Sequence, residues 1–305
     1  MKKLIGALLL ISLTVTMFTA CSGGNATEFG NGNSPASGNG NTTFNNEKDI
    51  VVISREDGSG TRGAFIELFG VEQKNEGGTK KDLTTKEAII AKQTDVMMTS
   101  ITGNPYAIGY ISLGSLNDTV KAVQIEGVTP TAENVKNGTY PIARPFNIAT
   151  KDEVSELTED FMDFILSAEG QAVVAKSYIA VNDDAPAYAG NKPSGKIVVA
   201  GSSSVTPIME KLKEAYQLVN PNATIEIQMS DSSAGITGVI DGTCDIGMAS
   251  RNLKDSELEQ LTSRQIALDG IAVIINRENP TASLVKDQVK AIFVGETLTW
   301  SDIAK

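Results

Sequence analysis

The chain has 305 residues, with 26 Lys and Arg against 37 Asp and Glu, a formal net charge of −11, two cysteines and no histidine. The lack of histidine excludes Ser-His-Asp and Cys-His catalysis, imidazole-ligated zinc and imidazole pH switching. The acidic balance argues against a nucleic-acid partner, and Cys21 and Cys244 alone make no disulfide framework.

The chain opens with Lys2 and Lys3, followed by an apolar run over 4–18 that is short for a membrane span. This pattern predicts a signal peptide over 1–20. The run ends in Phe18-Thr19-Ala20-Cys21, which resembles the lipobox of bacterial lipoproteins, with Phe18 where that box usually has Leu. Cys21 is therefore expected to carry lipid and become the mature N-terminus; an ordinary signal peptide with an incidental cysteine is the alternative. Residues 21–46 are mostly Gly, Asn, Ser and Thr and read as a flexible tether, because they bury too little apolar surface to offset their ordering entropy.

From residue 47 onward, short β-branched runs alternate with amphipathic stretches, which predicts an α/β fold. A strand is expected over 50–54, then a helix with Ala64, Phe65, Leu68 and Phe69 on one face. Phe161, Phe164, Ile165 and Val173 mark one helix between residues 158 and 176, and 183–195, rich in Ala, Asn, Pro and Gly, reads as a linker. The plan repeats with a strand over 196–200, a helix carrying Met209, Leu212, Tyr216 and Val219, a strand over 224–228 and a helix through Ile236, Val239 and Ile240. Short strands are expected over 245–249 and 270–276. Cys244 reads as a small buried apolar residue.

Four loops follow strands and share one character: 55–61 (Arg-Glu-Asp-Gly-Ser-Gly-Thr), 201–205 (Gly-Ser-Ser-Ser-Val), 230–233 (Ser-Asp-Ser-Ser) and 249–251 (Ala-Ser-Arg). Unpaired N–H groups of a first helical turn, the positive end of the helix dipole and Ser or Thr hydroxyls together suit an anion. Any single loop of this kind is also what an ordinary N-cap looks like. Four of them, with Gly58 and Gly60 permitting close backbone approach and Arg55 supplying a permanently charged planar donor, point to an oxyanion site. Asp57 is expected to orient Arg55, or else to be a solvated turn residue. No histidine stands ready to activate Ser59, and 57–60 is not a nucleophile elbow.

These residues resemble the phosphate-binding receptors of Pst-type ABC importers. Residues 54–65 (SREDGSGTRGAF) are similar to that family's second-lobe signature, 201–207 (GSSSVTP) to its first anion loop, and 232–236 (SSAGI) and 245–251 (DIGMASR) to the next two. Residues 266–276 (IALDGIAVIIN) look like its crossover strand. The resemblance implies a two-lobed type II periplasmic-binding-protein fold. The halves stand in exchanged order, so the fold is expected to be circularly permuted: 47–145 as a first segment of lobe II, 146–272 as a continuous lobe I, and 273–305 as the second segment of lobe II. A piece of a longer tandem protein is the alternative. The permutation would bring Lys48 and Lys305 together.

The ligand pattern carried over is Arg55, Ser59, Gly60, Thr61, Ser204, Val205, Ser232 and Ser250. Some members place an Asp near Ser250 to accept the phosphate proton; here either Asp231, Glu56 or Asp57 substitutes, or a different donor pattern operates. The resemblance implies no catalytic residue, metal or cofactor. Its expected partners are inorganic phosphate and ABC-transporter permease subunits, with the chain lipid-anchored on the outer face of the cell membrane. The competing expectations are a phosphoryl-transfer enzyme, a receptor for sulfate or molybdate, and a phosphate sensor without a transport role.

Overall fold

Val51, Val52 and Ile53 suit a pleated strand and form β1 (Val51–Arg55), whose last four residues are buried. The computed structural model describes residues 44–74 and 80–304; the expected signal peptide, the tether through residue 43, Cys21 and Lys305 lie outside them. Ser59 caps α1 (Gly60–Leu68), its hydroxyl accepting the Arg62 N–H at 3.3 Å. The apolar face of α1 turns inward, and the Phe65 ring stacks on Tyr110 with centroids 3.9 Å apart. There follow β2 (Ile89–Ala91), α2 (Thr94–Thr102), β3 (Ala107–Ser112) and β4 (Ala143–Thr150).

Residues 158–176, expected as one helix, hold the end of α3 (Glu156–Leu166) and all of α4 (Ala168–Val174). Ser167 divides them: its hydroxyl donates to the Phe164 carbonyl at 2.7 Å and accepts the Gly170 N–H at 3.2 Å, ending one helix and capping the next. The segment 183–194 contains no helix or strand and is pinned to this pair, with the Asn191 N–H on Asp160 Oδ1 at 2.9 Å.

The second series is β5 (Gly195–Ser202), α5 (Thr206–Val219), β6 (Ala223–Ser230), α6 (Ser232–Asp241), β7 (Ile246–Ala249), β8 (Thr262–Ile275) and α7 (Lys286–Val294). The expected strand over 270–276 is the end of β8, a strand of 14 residues.

The main sheet runs β6-β5-β7-β4-β8-β3-β1-β2, and two-residue strands at Lys121–Ala122 and Ile179–Ala180 also pair with β8. Strands β6, β5 and β7 are mutually parallel, as are β3, β1 and β2, and antiparallel β4 and β8 lie between the two sets. Strand β8 changes partner halfway: Thr262 to Gly270 pair with β4, whereas Ile271 to Ile275 pair with β3.

The apolar residues separate along this division. One pair of clusters is built entirely from residues within 146–267, around Phe161, Leu212 and Ile246 and around Ile236 and Leu261. The other pair draws on 44–143 and 268–303, around Phe65, Tyr110, Ile53 and Phe293, with Ile179 as its outlier. Residues far apart in sequence meet here. Asp49 and Thr299 form an antiparallel bridge, the Ile50 N–H reaches the Leu298 carbonyl at 2.7 Å, and the Ser301 N–H reaches Asn46 O at 2.8 Å.

Candidate functional site

The carboxyl ends of the parallel strands β1, β5, β6 and β7 deliver the hydroxyl-rich loops to one place, as open α/β sheets do with their ligand sites. Arg55 ends β1 and is 1% exposed. Its Nε and Nη2 hold the Glu56 carboxylate at 2.9 and 2.8 Å, Nε also meets the Ala91 carbonyl at 3.1 Å, and Nη2 reaches Ser203 Oγ at 3.0 Å. Its Nη1 is buried without a hydrogen-bond partner among the described residues.

Around this guanidinium the two sets of loops touch. Thr61 Oγ1 lies 2.8 Å from Ser204 Oγ, and Thr94 Oγ1, at the start of α2, lies 3.3 Å from Ser203 Oγ. Ser202 Oγ donates to Ser250 Oγ at 3.0 Å, and the Ser250 N–H donates to Ser232 Oγ at 3.1 Å. Ser202, Ser203, Ser204, Ser232, Ser250, Thr61 and Thr94 are all buried. A hydroxyl both donates and accepts, so this cluster suits an oxyanion in more than one protonation state. Gly60 lies so near that a Cβ there would fall 2.5 Å from Ser232 Oγ and 2.7 Å from Ser250 Oγ.

Arg55, Gly60, Thr61, Ser204, Ser232 and Ser250 are thus brought together. Ser59 is buried beside them with its hydroxyl on the Arg62 N–H. Val205 sends its side chain into the core, and its N–H bonds the Ser202 carbonyl at 3.0 Å. The expected role of Asp57 needs correction: Glu56, not Asp57, holds Arg55. Asp57 points outward to Arg62 Nη1 at 2.9 Å, because Arg62 folds back over the loop, donating to the Arg55 carbonyl at 2.6 Å and gathering both Asp57 and Asp82. Asp231 caps α6 through the Ala234 N–H at 2.9 Å, and its carboxylate abuts Gly58.

Sequence reasoning passed over Thr94 and Arg144, quoted Ser202 and Ser203 within the 201–205 loop without carrying them into the ligand set, and gave no role to Asp269 within 266–276. Arg144 and Asp269 form a buried ion pair behind the site, Arg144 Nη2 to Asp269 Oδ2 at 3.2 Å. Burial pulls Arg144 down and pushes Asp269 up to about 6, against the attraction between them. A guanidinium keeps its proton throughout, so Asp269 is the member that titrates. Its folded value lies above the ordinary 3.8, so the stability it contributes is present in full below about pH 4 and is lost as pH rises through 6. Asp269→Asn should flatten that stretch of the Tm-against-pH curve; an unchanged slope between pH 4 and 6 would assign the titration elsewhere.

A family model for the PBP superfamily domain matches residues 26–169 and 186–305. The chain belongs to the PBP superfamily. Among the relatives of this superfamily chain, "Phosphate-binding protein PstS 2" of Streptococcus agalactiae is 54% identical over 258 residues, covering 84% of this chain and 88% of the relative. A solved phosphate-binding protein of a phosphate ABC transporter from Streptococcus pneumoniae is 46% identical with a TM-score of 0.67, covering 84% of this chain and 99% of that one. The fold is that of the type II periplasmic binding proteins. "Phosphate-binding protein PstS" of Staphylococcus haemolyticus is 40% identical over 111 residues, covering 34% of this chain and 35% of the relative.

Proposed function

We propose that this chain is an extracytoplasmic receptor that captures inorganic phosphate and hands it to the permease subunits of an ABC importer. One observation carries the reading: the buried Arg55 guanidinium, with Nη1 unpartnered among the described residues, is ringed by hydroxyls supplied from both sides of the sheet. Hydrogen bonds from a charged donor in a low-dielectric setting are the strong ones. The streptococcal relatives, named as phosphate-binding proteins, support the ligand and the binding rather than catalytic role. The ligand set is Arg55, Ser59, Gly60, Thr61, Ser204, Ser232 and Ser250, joined by Ser203 and Thr94; Val205, its N–H engaged by the Ser202 carbonyl, stands outside it. Calorimetric titration should show one phosphate per chain, with no hydrolysis of a chromogenic phosphate ester, and competition by sulfate and molybdate sets the oxyanion class. Absence of heat and of a thermal shift at millimolar phosphate would end this reading.

The chain is further read as two lobes, 146–272 and 47–145 with 273–305, in permuted order. The division of the apolar cores and the meeting of Asn46 with Ser301 favour this. So does the contrast between streptococcal alignments that run through most of the chain and a staphylococcal one confined to about a third of it, as an exchanged order of halves would leave. A chain reopened within 183–194, with residues 46 and 304 linked, should still fold and bind phosphate; loss of folding would count against the permutation.

Residues 1–20 are read as a cleaved signal peptide and Cys21 as the lipidated N-terminus. No helix among the described residues is long and apolar enough to cross a membrane. Two or three acyl chains on one cysteine would give stable anchoring. Cys21→Ser should move the protein from the membrane to the medium, and retention in the membrane fraction would refute the lipid anchor.

A further inference from the structure

Asp269 sits one residue from Gly270, where β8 leaves β4 for β3, and it faces Arg144 directly across the β4–β8 ladder. Its Oδ1 accepts from Ser112 Oγ at 2.9 Å and from the Gly114 N–H at 3.3 Å, both on the β3 side of the sheet. Its Oδ2 accepts from Arg144 Nε and Nη2 at 3.4 and 3.2 Å. The remaining arm of Arg144, Nη1, donates to the Ser250 carbonyl at 3.1 Å. Ser250 is the residue whose N–H and Oγ bind Ser232 and Ser202 in the hydroxyl ring.

We propose that Arg144, aligned by Asp269, is a positioning residue that ties the setting of the two halves of the sheet to the placement of Ser250 in the anion site. The guanidinium is a rigid planar fork, so the direction of Nη1 follows from the seat of Nε and Nη2. That seat is a carboxylate held from the other side by Ser112 and Gly114. A shift of the β3 side relative to β8 therefore moves Asp269, turns Arg144 and displaces the Ser250 carbonyl. Both side chains are about 2% exposed or less, so water does not substitute readily for these bonds. The titratable groups facing the pair are Tyr178 beside Asp269, and Arg55, whose charge acts on Arg144. The inference rests on the phosphate-receptor reading for its binding consequence, but not for its structural one.

The test uses the full-length chain and two readouts: phosphate affinity by calorimetry, and hydrogen exchange of the Ser250 amide in ligand-free protein. Arg144→Ala should weaken phosphate binding at least tenfold and speed Ser250 exchange at least tenfold. Arg144→Lys keeps the charge but reaches either Asp269 or the Ser250 carbonyl, and should recover neither readout fully. Val289→Ala, on α7 in the other apolar core, controls for general destabilisation and should leave phosphate affinity unchanged. Should Arg144→Ala fail to fold because it strands a buried carboxylate, the double variant Arg144→Gln with Asp269→Asn takes its place with the same expectations. Unchanged affinity and exchange in a folded Arg144 variant would overturn the proposal, as would full recovery by Lys, which would reduce the role to charge alone. If the wild type bound no phosphate, the receptor reading would fall while the exchange comparison still decided this one.

Discussion

Arg55→Ala is expected to lower phosphate affinity by roughly 10²- to 10⁴-fold. The estimate follows from two bonds to a charged ligand at about 1.5–3 kcal/mol each, so about 3–6 kcal/mol in all, with 1.4 kcal/mol per factor of ten. The side chain is nearly inaccessible, and three of its contacts, to Glu56, the Ala91 carbonyl and Ser203, fix the plane of the fork before any ligand arrives. Preorganisation of this kind is what makes a charged donor count. The fold should survive the loss, because Glu56 retains 16% side-chain exposure and can turn to water. Arg55→Lys should recover only part of the affinity, since an ammonium cannot meet Glu56, Ala91 and Ser203 and still present a donor. Calorimetry at constant pH and salt decides the matter; an Arg55→Ala protein with wild-type affinity would show that the guanidinium only ties down the loop.

Gly60→Ala is expected to weaken phosphate binding by about 10- to 100-fold and to lower the Tm by the same overpacking. Gly60 is the first residue of α1, and its backbone lies outside the left-handed region, so the cost of a side chain is one of space. The added Cβ would meet Ser232 Oγ at 2.5 Å, Ser250 Oγ at 2.7 Å and the Ser250 carbonyl carbon at 3.1 Å. Hydroxyls can rotate away, but the Ser250 backbone cannot move without disturbing its bond to Arg144. Overpacking of this size costs about 1–3 kcal/mol. Wild-type affinity in Gly60→Ala would mean that the bound state does not require this close approach.

The anion loops were legible because their chemistry is local: Ser, Thr and Gly crowd the strand ends, and Arg55 stands among them. Which hydroxyls meet was less so, since the bonds of Ser203 and Ser204 to Arg55, Thr61 and Thr94 join residues more than 100 positions apart. Of the two expectations for Asp57 the exposed turn residue is the one seen, and its neighbour Glu56 is the carboxylate that holds Arg55. Spacing alone does not say that Arg62 would reach back and take Asp57. Arg144 and Asp269 left a signal that went unused, a lone charge in each of two apolar strands, 142–146 and 266–276. A charge in such a run needs a buried partner, but only the β4–β8 register names it. The helix break at Ser167 was visible as a capping residue before Glu169 and Gly170, yet the apolar spacing on either side reads straight through it.

The bridge between Asp49 and Thr299 also governs when the molecule can assemble. A chain leaving the ribosome presents β1 and α1 before Phe293 and β8, which Phe65 and Tyr110 then still lack. The stretch from Phe146 to Ala267 emerges next and carries every residue of its own two apolar clusters. Half of the anion site, Ser202 to Ser204 with Ser232 and Ser250, thus has a scaffold while Arg55 waits on residues made later. During that interval the aromatic face of α1 lacks Phe293, and synthesis halted before residue 271 would leave Arg55 without its finished sheet.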